Sequence, residues 1–123
     1  MKILLIDDDA TTNFIHQTKL NKLIKQAELS CVSNGQEALS FCRKNKAINL
    51  AFLDLNMPVM DGLTFLKAHK KLPKDHQIKK IVLFTDKEID DSLKTSLNIS
   101  FCIPKPLNEE KINTILNDQQ GVS

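Results

Sequence analysis

Five short apolar runs alternate along this chain with segments whose apolar residues recur at helical spacing, and this alternation constrains the fold more than any other feature. The runs read "KILLI", "LSCV", "NLAFL", "KIVLF" and "SFCI". Each is rich in branched residues and is followed by a helical segment, as expected for buried parallel strands joined by crossover helices. We therefore predict an α/β fold, a five-stranded doubly wound parallel sheet with five helices.

The helical segments read "TTNFIHQTKLNKLIKQA", "GQEALSFCRKN", "GLTFLKAHKKL", "EIDDSLKTSL" and "LNEEKINTIL". In the first, Leu20, Leu23, Ile24 and Ala27 follow the i, i+3, i+4, i+7 pattern of an amphipathic helix. The third should end at Pro73, because proline cannot continue a helix. With 123 residues, no internal repeat and no linker, the chain fits one compact domain.

Composition and charge exclude several classes of protein. Charged residues make up 26% of the chain and hydrophobic residues 41%, as in ordinary globular proteins. The chain has neither an apolar run of about 18 residues nor an export signal, so we expect a cytoplasmic protein without membrane insertion. The net charge of +2 is the difference between 17 basic and 15 acidic residues and forms no basic block, so no nucleic-acid partner is expected.

Cysteine and histidine residues give no sign of a metal or disulfide framework. The cysteines are odd in number and widely separated, so we expect reduced, mostly buried thiols. The histidines lack ligand spacing and are interpreted as surface or helix-face residues. These residues are Cys31, Cys42, Cys102, His16, His69 and His76.

Three consecutive carboxylates, Asp7, Asp8 and Asp9, follow the first apolar run. At an effective dielectric constant of 20, two unit charges about 4 Å apart repel by roughly 4 kcal/mol. One explanation is that they cap the first helix, and Asp9 is the best candidate for a cap. The other is that a cation compensates them.

Further polar residues follow the other strands of the predicted sheet. Asp54 follows the third strand, Thr85 the fourth and Lys105 the fifth. Ligands in doubly wound sheets bind outside the carboxyl ends of the strands, so these side chains should converge with Asp7 and Asp8. Carboxylates in one shallow crevice favour a hard divalent cation, and the sequence therefore predicts a site for Mg²⁺ or Mn²⁺ with Lys105 as a further positive charge.

The segments "LLIDDD", "AFLDLNMPVMDG", "VLFTD" and "IPKP", in this order and at these separations, resemble the receiver domain of two-component response regulators over essentially the whole chain. The resemblance implies a flavodoxin-like strand order, 2-1-3-4-5. It also implies a receiver domain over residues 1–118, a short tail at 119–123 and no output domain. The partners it implies are a sensor histidine kinase or histidine phosphotransferase as phosphodonor and a downstream protein target.

Residue by residue, the resemblance makes Asp54 the phosphoacceptor. Asp8 and Asp54 would ligate Mg²⁺ through their carboxylates, Asn56 through its backbone carbonyl and Asp7 through a water. The chain would catalyse only its own phosphorylation and dephosphorylation, and in that sense would not be an enzyme.

The resemblance also assigns the phosphoryl-binding and readout residues. Thr85 and Lys105 would contact the phosphoryl group, with a cis peptide between Lys105 and Pro106. The strand position that is usually aromatic in the family is Cys102, while Phe101 should point to the opposite face of the sheet. Phe101 and Cys102 are therefore the candidate readout residues, in an arrangement unlike that of the family.

Three residues in or beside the predicted site bear on its rates. Asp86 stands where the family usually has a small residue, and its charge should repel an incoming phosphoryl group, so we expect slow phosphorylation by small donors. Lys87 and Asn56 should flank the approach of hydrolytic water.

Two other functions are compatible with parts of the pattern. "DDDAT" fits the D-x-D-x-T signature of haloacid dehalogenase-type phosphatases, with Asp7 as nucleophile and Asp9 as general acid. Against it, Ala10 replaces a glycine usual in that family, the chain is short, and Asp54 would be unexplained. The second alternative is a degenerate receiver that only binds a partner.

Overall fold

The computed structural model of the protein describes residues 1–85 and 88–117. The strands are β1 (Lys2–Ile6), β2 (Glu28–Val32), β3 (Leu50–Asp54), β4 (Lys80–Phe84) and β5 (Ile99–Ile103). The helices are α1 (Ala10–Leu23), α2 (Gly35–Lys44), α3 (Gly62–His69), α4 (Asp91–Leu97) and α5 (Glu109–Leu116), and a 3₁₀ turn covers Lys74–His76. The sequence-based predictions for Asp86, Lys87 and the tail at 119–123 lie outside the described residues.

The five strands form one parallel sheet in the order β2-β1-β3-β4-β5, which confirms the predicted fold class and strand order. In the register, Ile6 lies opposite both Val32 and Leu53, and Phe84 lies opposite Asp54 and Ile103. The carboxyl ends of neighbouring strands therefore finish at one edge. In the pairing of β4 with β5, the register shifts between Ile81 and Val82.

The helices cover both faces of the sheet, and each face has its own apolar core. Leu4, Leu53 and Leu83 point towards α2 and α3, where they pack with Phe65 and Leu66. On the other face, side chains of β1, β3 and β4 pack against α1 and α5. Strands buried on both faces read as continuous apolar runs, which explains why the runs were so clear in the sequence. No helix among the described residues is long and apolar enough to cross a membrane.

Three helices are shorter than their sequence patterns predict. The first stops at Leu23, four residues before Ala27, because the chain turns there to pair Glu28 with Lys2. The third stops at His69, and the next residues continue only as a turn towards Pro73.

The fourth helix starts at Asp91 rather than at Glu88. The side chain of Asp90 accepts hydrogen bonds from both the backbone N–H and the hydroxyl of Ser92. This cap sets the helix start, because it satisfies a backbone donor that would otherwise lack a partner.

The expectation of mostly buried thiols is wrong, and so is the surface interpretation for two histidines. Among the cysteines, which are all free, only Cys42 is buried, and Cys31 is exposed because β2 is an edge strand. His16 and His69 lie on helix faces as expected, but these faces are turned inward, and the residues are 2% and 0% exposed. Neither histidine belongs to a group of potential metal ligands among the described residues.

Candidate functional site

Three carboxylates converge at the carboxyl edge of the sheet. Asp7 and Asp8 follow β1, and Asp54 is the last residue of β3. One carboxylate oxygen from each residue lies within 4.8 Å of the others. Asp7 is buried, Asp54 is partly buried and Asp8 is exposed, so the group forms a shallow acidic crevice open on one side.

The third aspartate of the acidic run, Asp9, has a different role. Its carboxylate accepts hydrogen bonds from the backbone N–H groups of Thr11 and Thr12 and from the Thr12 hydroxyl, so it is the N-cap of α1. These bonds, above all the one from the Thr12 hydroxyl, lower the pKa of Asp9. Its backbone N–H in turn donates to Asp7 Oδ1 at 2.9 Å. The prediction that Asp9 is a helix cap is confirmed.

Lys105 brings the positive charge that the clustered carboxylates require. Its Nζ lies 2.5 Å from Asp7 Oδ2 and 3.7 Å from Asp54 Oδ2, and 5.7 Å from the centre of the Phe84 ring. Burial alone would lower the pKa of Lys105, but the hydrogen bond to Asp7 and the charges of Asp7 and Asp54 outweigh it, and the pKa is raised. The lysine is therefore held as an ammonium between two carboxylates. Its peptide bond to Pro106 is cis, as predicted.

One ammonium does not balance the site. The pKa of Asp54 is raised, first by burial and then by the negative charges of Asp7 and Asp8, although Lys105 acts in the opposite direction. Burial and two anionic neighbours thus outweigh the single ammonium at Asp54. Three carboxylates facing one ammonium can therefore accept a further cation, and their oxygen donors suit a hard divalent ion.

A cavity of about 290 Å³ lies over Asp54. It is lined by Asp54, Leu55, Asn56, Phe84, Thr85, Pro104 and Lys105. Asn56 N–H points at Asp54 Oδ1 at 3.3 Å, and Thr85 N–H donates to the Ile103 carbonyl at 2.9 Å. The structure thus brings the residues predicted from the ends of β3, β4 and β5 to one opening.

Close packing behind Asp54 requires a residue that was not singled out in the sequence. A Cβ at Gly62 would lie 2.8 Å from the Asp54 carbonyl oxygen and 2.9 Å from Leu55 Cα. Both contacts are with backbone atoms, which cannot move aside easily. The glycine therefore lets α3 start directly behind the phosphoacceptor candidate.

The loop between β3 and α3 contains a strained turn. Met60 N–H donates to the Pro58 carbonyl at 2.7 Å, and the residue between them, Val59, has φ of 69°. This pattern is a three-residue γ-turn, and a positive φ is unfavourable for a β-branched side chain. Val59 is also 77% exposed, so apolar burial does not compensate the strain.

Phe101 and Cys102 point to opposite faces of β5, as predicted. Phe101 packs with the core beneath α1 and α5, whereas Cys102 packs with the core beneath α2, α3 and α4. Cys102 also lines a groove of about 590 Å³ together with Thr85, Ile89 and Lys94. Thr85 lines both this groove and the cavity over Asp54.

Side chains of α1 that sequence reasoning missed support the site from below. The buried Asn13 donates from Nδ2 to the Asp7 carbonyl at 3.0 Å. Lys19 donates to the carbonyl of Leu107, two residues after Lys105. A single sequence has no local signal for such contacts, because they depend on how α1 packs against loops that are distant in the chain.

The geometry does not favour the phosphatase alternative. That mechanism needs the second aspartate of the D-x-D-x-T signature, Asp9, as a general acid, but its carboxylate accepts three hydrogen bonds at the start of α1. Its lowered pKa also disfavours the protonated form that an acid must supply.

Comparison with known proteins places this arrangement in context. The family described as "Response regulator receiver domain" matches residues 3–117. A chemotaxis protein CheY homolog of Campylobacter jejuni is 29% identical over 124 residues, which cover 98% of this chain and 93% of that protein. A transcriptional regulatory protein CpxR homolog of Haemophilus influenzae is 29% identical over 111 residues, which cover 90% of this chain.

The chain spans less than half the length of several curated relatives, from 46% of the Haemophilus protein to 3% of a hybrid signal transduction histidine kinase of Dictyostelium discoideum. Among solved structures, chemotaxis protein CheY4 of Vibrio cholerae superposes with a TM-score of 0.77 at 24% identity, with 94% of each chain covered. At this identity the likeness concerns the fold.

Proposed function

Because this chain belongs to the response regulator receiver domain family, we propose that it accepts a phosphoryl group from a phosphohistidine donor onto Asp54 in a reaction that needs a divalent cation. The family is a signalling module whose general function is phosphorylation on aspartate and signalling by protein contact. The observation that carries the residue assignment is the convergence of Asp7, Asp8, Asp54 and Lys105 at one edge of the sheet.

The residues at this edge fit a Mg²⁺ or Mn²⁺ ion. Their donor atoms are carboxylate oxygens, three of which converge within 4.8 Å of one another, and Lys105 supplies one positive charge against them. We propose that Asp8 and Asp54 hold the ion through their carboxylates, Asn56 through its backbone carbonyl, and Asp7 through a water. When bound, the cation would neutralise the charge on the phosphoryl oxygens during transfer.

The chain's own residues supply the rest of the reaction. Asp54 attacks phosphorus, so that an O–P bond forms while the N–P bond to the donor imidazole breaks, and the product is an acyl phosphate. Lys105 balances negative charge on the transferring group, which is the dominant requirement in phosphoryl transfer. The cavity over Asp54 leaves room for the incoming group beside Thr85. Dephosphorylation by water at the same site makes both steps self-catalysed.

Signal output is proposed to pass through Thr85 to the surface around Cys102. Thr85 borders both the cavity over Asp54 and the groove between α4 and β5, so a move of its hydroxyl towards a phosphoryl oxygen would alter both. Such a move would bias two pre-existing conformations. In this proposal Cys102, and not Phe101, is the readout residue on the groove side.

The proposed partners are a sensor histidine kinase or histidine phosphotransferase and a downstream target protein. We propose a receiver domain over residues 1–118, and the match to the CheY homolog covers 93% of that protein's length. A histidine kinase donor would place the reaction in the cytoplasm.

Mapping of the labelled residue tests the proposal. The protein is mixed with Mg²⁺ and a radiolabelled phosphohistidine donor, and the label is located by peptide mapping. We expect label on Asp54, lost in Asp54→Asn and on chelation of the cation, but kept in Asp9→Asn as a matched control. Label on Asp7 would support the phosphatase alternative, and absence of label with every donor would support the degenerate binding module.

A further inference from the structure

In the part of the chain that the structure describes, the loop that carries Lys105 has few backbone hydrogen bonds. Pro104 and Pro106, on either side of the lysine, have no backbone N–H, so the segment cannot build a regular ladder. Its carbonyl groups nevertheless need donors. Lys111 Nζ donates to the carbonyls of Pro104 and Pro106, each at 3.0 Å, and Lys19 Nζ donates to the carbonyl of Leu107 at 2.6 Å. Two lysine side chains therefore hold the backbone on both sides of Lys105.

The position of Lys111 is unfavourable for its own helix. It lies in the first turn of α5, where Asn108 is the N-cap and its side chain accepts from Lys111 N–H. Cations near a helix N-terminus oppose the helix dipole. Helix stability alone would therefore not place a lysine here, whereas its two bonds to the Lys105 loop would.

Contacts from α1 hold Leu107 at several points. Besides the bond from Lys19, Leu107 N–H lies 3.5 Å from Nε2 of the buried His16, and the Leu107 side chain is 0% exposed. Burial, followed by the charge of Lys105, lowers the pKa of His16 to about 4. His16 is therefore neutral at neutral pH and its Nε2 is available as an acceptor. The loop is thus fixed to α1 as well as to α5.

We propose that Lys19 and Lys111 are positioning residues that set the place of the Lys105 ammonium relative to Asp54. The inference rests on the proposed phosphoryl transfer to Asp54. Lys105 Nζ is 3.7 Å from Asp54 Oδ2, and a loop released from one helix would change this distance. Small displacements of a charge-stabilising group cost large factors in rate. Neither lysine touches the reacting atoms.

The rate of Asp54 phosphorylation by phosphoramidate with saturating Mg²⁺ tests the proposal. We expect Lys19→Met and Lys111→Met together to lower the saturating rate constant about tenfold, with little change in the half-saturating donor concentration. The arginine variants, Lys19→Arg and Lys111→Arg, should restore most of the rate. Lys22→Met is the matched control for each single variant, because it likewise removes one positive charge, from an exposed position in the last turn of α1.

Stability separates a positioning role from a structural one. Lys111→Met should change the free energy of unfolding little, since the helix loses an unfavourable cation from its first turn while water replaces the two solvent-exposed hydrogen bonds. A fall in rate that follows a loss of stability in Lys111→Met would overturn the proposal. So would an equal fall in rate in Lys22→Met, because the effect would then come from net charge.

Hydrogen exchange at the Leu107 amide distinguishes failure of this inference from failure of the proposed function. Exchange is measured by NMR on the unphosphorylated protein and needs no phosphodonor. We expect faster exchange at Leu107 in Lys19→Met and unchanged exchange in Lys22→Met. If the wild type takes no phosphate but the Leu107 amide still exchanges faster in Lys19→Met, the positioning of the Lys105 loop by Lys19 is supported and the proposed function fails. If Lys19→Met matches Lys22→Met in both Leu107 amide exchange and phosphorylation rate, the positioning role of Lys19 is refuted.

Discussion

Lowering the pH from 7 to 5 should destabilise this protein by about 4 kcal/mol through two buried histidines, His16 and His69. Burial lowers the pKa of both to about 4, and for His16 the charge of Lys105 contributes as well. His69 is 0% exposed and its Nε2 accepts the Ile78 N–H at 2.8 Å, while its Nδ1 has no hydrogen-bond partner among the described residues. An added proton would remove that acceptor and place a charge in the core.

The sign follows from proton uptake. In the unfolded chain a histidine has a pKa of about 6.5, so between pH 6.5 and pH 4 the unfolded state binds more protons than the folded state. Stability is therefore lost as the pH falls through this window. A shift from 6.5 to about 4 gives a loss of about 2 kcal/mol for each histidine between pH 7 and pH 5. The raised pKa of Asp54 acts in the opposite direction, so single variants measure the histidine contribution better than the wild type alone.

Urea denaturation followed by far-ultraviolet circular dichroism at pH 8, 7, 6 and 5 measures this loss, since the chain has no tryptophan or tyrosine for fluorescence. His69→Gln keeps a side-chain acceptor but cannot titrate. We expect its loss of stability between pH 7 and pH 5 to be about 2 kcal/mol smaller than that of the wild type. His16→Gln should reduce the loss of stability by a similar amount. The step from pH 8 to pH 7 is the internal control, because the free energy of unfolding should change much less there. An unchanged pH dependence in His69→Gln would refute the reasoning, because it would mean that His69 takes up its proton equally well in both states.

Three further outcomes are expected from single substitutions. Val59→Gly should raise the melting temperature by about 4 °C, because the positive φ strains valine by about 1 kcal/mol or more and does not strain glycine. An unchanged or lower melting temperature would contradict the presence of this strain. Gly62→Ala should lower the free energy of unfolding by about 2 kcal/mol and slow labelling of Asp54, because the new Cβ would overlap backbone atoms of Asp54 and Leu55. Wild-type values in denaturation and labelling would mean that the backbone can shift at little cost. Asp9→Ala should lower the free energy of unfolding through the missing helix cap while Asp54 is still labelled, and loss of label with unchanged stability would contradict the assignment of Asp9 as a cap.

The sequence predicted the central strands β1, β3 and β4 well because they are buried on both faces and read as unbroken apolar runs. It predicted helix ends less well, since Asp90 and the turn after His69 set boundaries that hydrophobic spacing does not encode. Asp9 could be recognised as a cap because capping is local. The burial of His69 could not be predicted, because it depends on a backbone donor, Ile78 N–H, that reaches the ring only after the chain has folded back.

At the site, residues at or just beyond the carboxyl ends of strands were predictable, since parallel topology gathers these positions whatever the loops contain. Asp7, Asp54 and Lys105 belong to this class. Lys19 and Lys111 do not, because their hydrogen bonds connect helices to a proline-flanked loop and follow from side-chain reach.

The acidic and basic groups of the site are carried by different strands of the sheet, the acidic ones by central strands and the basic one by an edge strand. The acidic groups follow β1 and β3, which are hydrogen-bonded on both sides, whereas Lys105 follows β5, which is bonded only to β4 and through an irregular register. The carboxylates are therefore positioned by central strands, whereas the ammonium follows an edge strand with one hydrogen-bonded neighbour. A partner that binds the outer edge of β5 would therefore shift the Lys105 ammonium without contacting an aspartate.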